Sequence, residues 1–280
     1  MLFNTAVFNS RMFNGGTTIA EAYSADRLVF EDYSLSDGSV IVLTNLEDSG
    51  PTRDIVGDNV PMGDGMFITN DFFRERKIVA RGYVKKSTAA LLDAELDTIR
   101  KSLATREGNL DVTDNNSTAK RFVATLENYE ELFADRQRYH LTICPFKASF
   151  VCKTPFGKAR TYTSISLDTS TLETTQSVVN EGTYKAQPVV TLNFTAASSV
   201  TAVTLENETT GESITYTGSI AAGNVLVFDS ENKQVTKAGA VQTFTGAFPT
   251  LLVGANLLTI TVTGTSFTAY DTYKYRKTYL

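Results

Sequence analysis

The clearest periodic pattern in the chain lies at residues 88–105. Four apolar residues recur at intervals of four, three and four, which places them on one face of an α-helix: Leu92, Leu96, Ile99 and Leu103. Ser87 or Thr88 can cap the start of this helix, and Gly108 offers a left-handed residue at its end. The flanking segments 76–84 and 109–112 have extended patterns, so we expect the helix to pack on a sheet that they help to form.

Alternating apolar and polar residues predict strands through the rest of the first half. The strand segments are 28–30, 39–43, 120–126, 139–143 and 146–152. Ser36, Asp37 and Gly38 predict a turn between the first two. Residues 129–135 fit either a turn of helix or a loop, and the pattern does not decide between them.

The beginning of the chain contains a small repeat at five-residue spacing: Phe3-Asn4, Phe8-Asn9 and Phe13-Asn14. That spacing matches neither a helix nor a strand. Two interpretations stay open, namely an extended arm that grips a neighbouring molecule and a first strand packed on its own domain. Residues 47–64 are rich in Asp, Gly and Pro, which predicts a long mobile loop.

The composition changes near residue 160. Residues 161–280 carry six of the 26 Lys and Arg residues and nine of the 31 Asp and Glu residues, while short β-rich runs alternate with turn residues. These runs are 188–194, 200–205, 213–217, 224–228, 257–262 and 267–275. We therefore predict two domains, 1–163 with the helix and 164–280 without one. The expected fold class is mainly β, with a β-sandwich or barrel-like first domain and a β-sandwich second domain of about eight strands.

Composition and charge disfavour some classes of function. A net charge of −5 over 280 residues disfavours a general nucleic-acid binder, because such proteins need a basic face. Six basic residues do lie close together, and we interpret them as polar positions that keep an exposed sheet edge soluble: Arg74, Arg76, Lys77, Arg81, Lys85 and Lys86. No leader pattern or membrane-spanning run is visible, so we expect folding in a cytoplasm.

No arrangement of residues predicts chemistry, so we predict no catalytic, cofactor-binding or metal site and no enzyme. Cys144 and Cys152 lack the spacing of a redox or zinc site and are expected to be buried free thiols. His140 lies in a predicted strand with no nucleophile motif beside it. Residues 32–38 are faintly similar to a calcium loop but lack its bidentate Glu.

Tyrosines gather near the C-terminus, at positions 270, 273, 275 and 279. Strand alternation places Tyr273 and Tyr275 on one face, where exposed rings could stack on sugars. We interpret them first as packing at the sandwich edge or at a contact between subunits. A carbohydrate-binding module that recognises the host cell wall is the alternative function. A glycan-cleaving enzyme is a third hypothesis, which rests only on the abundant carboxylates.

Several segments, taken in order, resemble the distal tail (Dit) proteins of long non-contractile-tailed phages, the siphophages. In the first half the resemblance covers the strand at 77–84, the helix, and the segments 108–112, 121–124 and 150–155. In the second half it is more specific and covers 179–190, 207–211, 223–229, 248–251 and 254–256. Together they span residues 76–280, whereas the region before Met66 departs from the family pattern.

The resemblance implies a structural protein of the virion, a homohexameric ring at the tail tip assembled in the host cytoplasm. Its implied partners are copies of itself, the tail tube protein, the tail hub or tail-associated lysin, and a receptor-binding or tape measure protein. DNA would pass through the ring without specific binding, and no membrane is involved. The implied second domain is galectin-like or similar to a carbohydrate-binding module, without an inserted extra module.

Several glycines and asparagines in the second domain are expected to fix the backbone conformation of turns, which fits a structural protein. We expect Gly182 and Gly211 to adopt positive φ in turns. We expect Asn180 and Asn207 to hydrogen-bond to nearby backbone and fix those turns. They are interpreted as fold markers and not as ligand contacts.

Overall fold

The structure is a computed structural model that describes residues 27–59, 64, 66–113, 118–132, 142–169, 172–197, 199–265 and 267–280. The chain divides into two compact units, Met1–Pro155 and Phe156–Leu280. The predicted boundary at 163/164 falls inside the second unit, at the start of one of its strands. All strand pairs described below are antiparallel, and the mainly β fold class is confirmed.

The first unit combines one large sheet, one hairpin and one helix. Its elements are β1 (Leu28–Phe30), β2 (Tyr33–Ser34), β3 (Ile41–Asp48), β4 (Arg53–Asn59), β5 (Met66–Phe73), β6 (Arg76–Lys85), α1 (Ala89–Leu103), β7 (Gly108–Thr113), β8 (Ala119–Glu131) and β9 (Ile143–Cys152). Seven strands form the sheet in the order β2-β1-β7-β8-β9-β6-β3. Strands β4 and β5 pair with each other in a separate two-stranded sheet.

The helix forms where the periodicity predicts it. Its four periodic residues are buried in one core with the inward side chains of the sheet. The Thr88 hydroxyl accepts a hydrogen bond from the Leu91 N–H, so Thr88 is the N-cap. The expected role of Gly108 is wrong, because the helix ends at Ala104 in a right-handed conformation and Gly108 begins β7. A side chain at Gly108 would collide with Glu31, which explains a glycine there.

Two further expectations about the first unit are wrong. Residues 47–64 were predicted to be a mobile loop, but their described part includes the end of β3 and all of β4. The cross-strand pairing of β4 with β5 satisfies its backbone groups and overrides the turn-like composition. Strand β6 is not a sheet edge, because it pairs with β3 on one side and β9 on the other. Residues 129–131, left undecided, continue β8.

The second unit is a β-sandwich with short additional strands. Its elements are β10 (Gly157–Ala159), β11 (Thr163–Thr169), β12 (Glu173–Asn180), β13 (Val189–Ala197), β14 (Val200–Asn207), β15 (Glu212–Ile220), β16 (Val225–Asp229), β17 (Gln234–Lys237), β18 (Ala240–Gln242), β19 (Thr245–Gly246), β20 (Gly254–Thr263), β21 (Phe267–Tyr275) and β22 (Thr278–Tyr279). One sheet has the order β11-β21-β13-β16-β17-β18, the other β12-β20-β14-β15-β19, and β10 pairs with β22.

The two sheets of the second unit share one core. Alternate residues of β13, β16 and β21 from one sheet meet alternate residues of β14, β15 and β20 from the other. All six predicted strand segments lie in strands, and β11, β12 and β17 are additional strands that the sequence patterns did not reveal. Within the described residues, no helix is long and apolar enough to cross a membrane.

Candidate assembly and recognition surfaces

The residues considered for chemistry are either structural or outside the described residues. The Phe-Asn repeat at 3–14 and His140 lie outside them. Asp37, from the segment similar to a calcium loop, accepts hydrogen bonds from the backbone N–H groups of Ser39, Val40 and Ile41. Burial acts to raise the pKa of Asp37, but these backbone hydrogen bonds outweigh it and lower the pKa. In the ranges that the structure covers, no group of three or more His, Cys, Asp or Glu could hold a metal.

Both cysteines are buried free thiols on β9, as expected. Burial in the core raises the pKa of Cys144 and of Cys152 to about 12 in each case. Thiolate chemistry at neutral pH is therefore disfavoured at both positions.

The basic residues around β6 do not form a free basic surface. Arg76 is 5% exposed, lies against the Phe122 ring and makes a bidentate pair with Asp48 at 2.5 and 2.6 Å. Four others also form ion pairs with carboxylates: Arg74 with Asp54, Lys77 with Glu127, Arg81 with Glu47 and Lys86 with Glu95. The cluster therefore supports folding of the first unit more than recognition of an anion.

The C-terminal tyrosines do not form a common exposed face. Tyr273 and Tyr275 do share one face, but it is the inner one, and they are 1% and 2% exposed. The Tyr275 hydroxyl donates to the Val179 carbonyl. The alternative that placed these two rings against sugars is therefore wrong for these residues. Tyr270, on the opposite face of β21, is 53% exposed.

The family-like motifs of the second unit meet around one segment, residues 248–256, which we call the strap. Three buried asparagines hold it: Asn180, Asn207 and Asn256, which are 1%, 0% and 2% exposed. Asn180 donates to the Leu251 carbonyl, and Asn207 donates to the Thr250 carbonyl at 2.5 Å. The motifs that are far apart in sequence are thus joined in one polar network.

Asn256 completes this network from inside the strap. Its side-chain oxygen accepts from the Leu252 N–H and from the Asn207 amide, and its amide donates to the carbonyls of Leu252 and Gly254. Glu212 adds two hydrogen bonds, because one carboxylate oxygen accepts from both the N–H and the hydroxyl of Thr250. The strap is therefore rigid, and it presents Leu252 and Val253, which are 43% and 57% exposed.

The turn-forming roles expected of the asparagines and glycines are partly confirmed. The Asn180 side chain accepts from the Gly182 N–H, and the Asn207 side chain accepts from the Thr209 N–H, as predicted. Gly211 has a φ of 71°, also as predicted. The expectation of positive φ at Gly182 is wrong; a side chain there would instead collide with the backbone of Thr278. Gly182 is required by close packing.

The β4–β5 hairpin is the most apolar exposed surface of the described first unit. The register pairs Asp54 with Phe72 and Val56 with Asn70, then shifts at a bulge and pairs Gly57 with Ile68, so Val56 and Phe72 lie on one face and Met66 and Ile68 on the other. These four exposed apolar side chains, which we call the hairpin surface, are each between 45% and 60% exposed. A cluster of this kind on a two-stranded sheet is typical of a contact with another protein surface.

Comparison with known proteins gives these surfaces a context. Residues 181–279, which contain Asn207 and Asn256 of the network, match the family described as "Siphovirus-type tail component, C-terminal domain". The second unit is therefore similar to a siphovirus-type tail component domain. This confirms the resemblance stated from the sequence motifs. The matched range includes the whole strap.

The fold of the chain is also similar to that of a phage tail protein. It is similar to the crystal structure of the SPP1 Dit (gp 19.1) protein, described as a paradigm of the hub adsorption apparatus in phages that infect Gram-positive bacteria. The TM-score is 0.70 at 12% identity, over 91% of this chain and 99% of that chain. This likeness establishes a shared fold. The family match and this shared fold both relate the chain to structural components of phage tails.

Two structures of the phage P2 baseplate in its activated conformation, one with Ca and one with Sr, are more distant. Each is 7% identical, with TM-scores of 0.46 and 0.45, and they cover 88% and 86% of this chain and 92% of theirs. At these TM-scores the two baseplate structures support no argument about this chain. No curated protein sequence matches the chain.

Proposed function

We propose that this tail component forms a homohexameric ring at the distal end of the tail tube and acts by shape and self-association, without catalysis. The hairpin surface carries this proposal, because its four exposed apolar side chains are stabilised when other protein surfaces cover them. A second copy is the occupant that fits the family. A head-to-tail contact between different surfaces of identical subunits generates a closed ring when the rotation closes.

In this proposal the ring joins the tail tube protein to the hub or tail-associated lysin, and to a receptor-binding or tape measure protein. Assembly takes place in the host cytoplasm and the mature protein resides at the tail tip of the virion. The net charge of −5 suits a passage through which DNA moves without binding, since acidic surfaces repel phosphates.

The mass of the purified full-length chain in solution tests the proposal. We expect light scattering to give a hexamer and electron microscopy to show rings. Ile68→Asp, which places a charge in the hairpin surface, should shift the mass to that of the monomer. Val241→Asp is the matched control, because Val241 is 68% exposed and lies in the second unit. A wild-type monomer at about 50 μM, far above the Kd of a stable assembly, would contradict the proposal.

A further inference from the structure

The basic residues of the second unit are unevenly placed on its two sheets. The strands of the five-stranded sheet carry three glutamates and no Lys or Arg: Glu173, Glu206 and Glu212. Basic residues gather instead where β11 begins and β21 ends, at Lys158, Lys274 and Arg276. This end of the six-stranded sheet therefore offers a local positive charge within a unit that is otherwise slightly acidic.

Tyr162 lies at the centre of this basic group, which we call the Tyr162 corner. The register pairs Thr163, the first residue of the edge strand β11, with Tyr275, the last of β21, so Tyr162 just before β11 lies beside Arg276. Arg276 places its guanidinium carbon 4.7 Å from the centre of the Tyr162 ring, and Lys274 places Nζ 5.3 Å from it. Two cations thus share one aromatic ring that is 41% exposed.

One carboxylate lies in contact with the corner. Glu231 accepts from the Tyr162 hydroxyl at 3.0 Å, from Arg276 at 3.0 Å and from Lys158 at 3.2 Å. Its side chain is only 9% exposed. Although burial acts to raise the pKa of Glu231, its hydrogen bond and ion pair with Arg276, the charge of Lys158 and the Tyr162 hydroxyl lower it, so Glu231 is charged at neutral pH.

The Tyr162 corner carries a net positive charge. Lys158, Lys274 and Arg276 contribute three positive charges against the one negative charge of Glu231. Asp229 is the nearest further acid in the register, two strands and about 10 Å across the sheet from Lys274. It is already hydrogen-bonded to the N–H and the amide of Asn232. An anion at the exposed edge of the ring would offset the repulsion between the cations.

Hydroxyl groups continue from the corner along the same outer face. The register pairs Ser164 with Lys274 and Ser166 with Thr272, so these side chains share the face of the basic residues. Tyr270 ends this strip, six residues and about 20 Å along β21 from Arg276. A strip of hydroxyls between two exposed rings suits a polyhydroxylated ligand, since hydroxyls hydrogen-bond to it and rings pack on its apolar faces.

We propose that the Tyr162 corner binds the phosphate group of a sugar phosphate or polyol phosphate, whose hydroxyl-bearing part lies along the strip toward Tyr270. Phosphate is the favoured anion because it can carry two negative charges and presents several acceptor oxygens, which Lys and Arg bind best. The inference goes beyond the structural role of the ring. It replaces the buried Tyr273 and Tyr275 with the exposed Tyr162 and Tyr270 as the aromatic contacts.

Calorimetric titration of the full chain with glucose 1-phosphate, inorganic phosphate and glucose tests the proposal. Glucose 1-phosphate should bind most tightly, inorganic phosphate more weakly, and glucose should not bind measurably. Equal affinity for glucose and glucose 1-phosphate, or no binding of glucose 1-phosphate at about 10 mM, would overturn the proposal. Equal affinity for the two phosphates would support the anion site and overturn the role of the hydroxyl strip.

Lys274→Gln is the decisive variant, because it removes one cation from the corner and leaves the Glu231 hydrogen bonds in place. Losing one charge-assisted contact should weaken glucose 1-phosphate binding by about tenfold. Lys237→Gln is the matched control, since Lys237 also lies on the six-stranded sheet with Nζ 5.8 Å from the centre of a tyrosine ring, that of Tyr216. An equal effect of both variants would show general electrostatic attraction and contradict the site. Light scattering of Lys274→Gln should give the same assembly state as wild type, so ring formation is tested separately.

Discussion

The two units of the chain bury polar groups of different kinds. In the first unit, buried or half-buried ion pairs join neighbouring strands, as Arg76 does with Asp48 and Arg121 with Asp111. In the second unit, ion pairs of the buried Glu231 occur as well, but three neutral amides, Asn180, Asn207 and Asn256, tie the strap to the sandwich. An amide both donates and accepts, so one buried Asn can satisfy several backbone groups without the cost of burying a charge. These amides therefore hold the strap without burying a charge of their own.

Removing the central amide of the second unit should have the largest effect on stability. Asn256→Ala leaves the Leu252 N–H and the carbonyls of Leu252 and Gly254 without their partners, and it should destabilise the fold by about 3 kcal/mol or more. Urea denaturation measures the change, with the exposed Asn232→Ala as control. A loss no larger than that of the control would show that water replaces the amide and that the network is not structural.

Removing the buried arginine of the first unit should cost less. Arg76→Ala loses the pair with Asp48, the hydrogen bond to the Pro155 carbonyl and the contact with Phe122, and we expect about 2 kcal/mol because Asp48 stays 34% exposed to water. Arg81→Ala is the matched control, since Arg81 and Glu47 are both 49% exposed and such pairs contribute about 0.5 kcal/mol or less. Equal losses in the two variants would remove the distinction between buried and exposed pairs.

Substitutions at two glycines of the second unit measure separately the cost of a steric collision and the cost of an unfavourable backbone conformation. Gly182→Ala should cost about 2 kcal/mol, because the added methyl group collides with the Thr278 backbone. Gly211→Ala should cost about 1 kcal/mol, because the space is open and only the φ of 71° is unfavourable. Thermal unfolding of both variants checks the order. The reverse order would mean that the β22 segment moves aside easily.

The smallest expected effect concerns pH and the first unit. Asp37 has a lowered pKa in the folded state, so its contribution to stability is fully present above its ordinary pKa of 3.8 and is lost as the pH falls through the lower folded value. Asp37→Asn should therefore flatten the acid side of the stability curve by less than about 1 kcal/mol. Denaturation between pH 2 and 7 measures this, with Asp93→Asn on α1 as the comparison. An unchanged acid slope in Asp37→Asn would show that the backbone hydrogen bonds do not stabilise the charged form.

The sequence predicted the features that depend on neighbouring residues. The spacing of Leu92, Leu96, Ile99 and Leu103 is a local property, and it located α1. The short-range bonds of Asn180 and Asn207 to backbone two residues away were predicted for the same reason. The sequence did not reveal that these asparagines also reach the strap, 71 and 43 residues away. Nor did it reveal the Tyr162 corner and its Glu231 contact, which bring together residues 158–162, 231 and 274–276.

Periodicity along the chain thus determined which residues share a face, including Tyr273 with Tyr275. It could not determine which face is buried, because that depends on which sheet packs against it, and the inner face took both tyrosines. Composition assigned residues 47–64 to a loop, whereas backbone pairing with β5 made β4 a strand. The partners of Arg76, Asn256 and Glu231 were decided by the tertiary structure alone, since only folding brings distant segments within hydrogen-bonding distance.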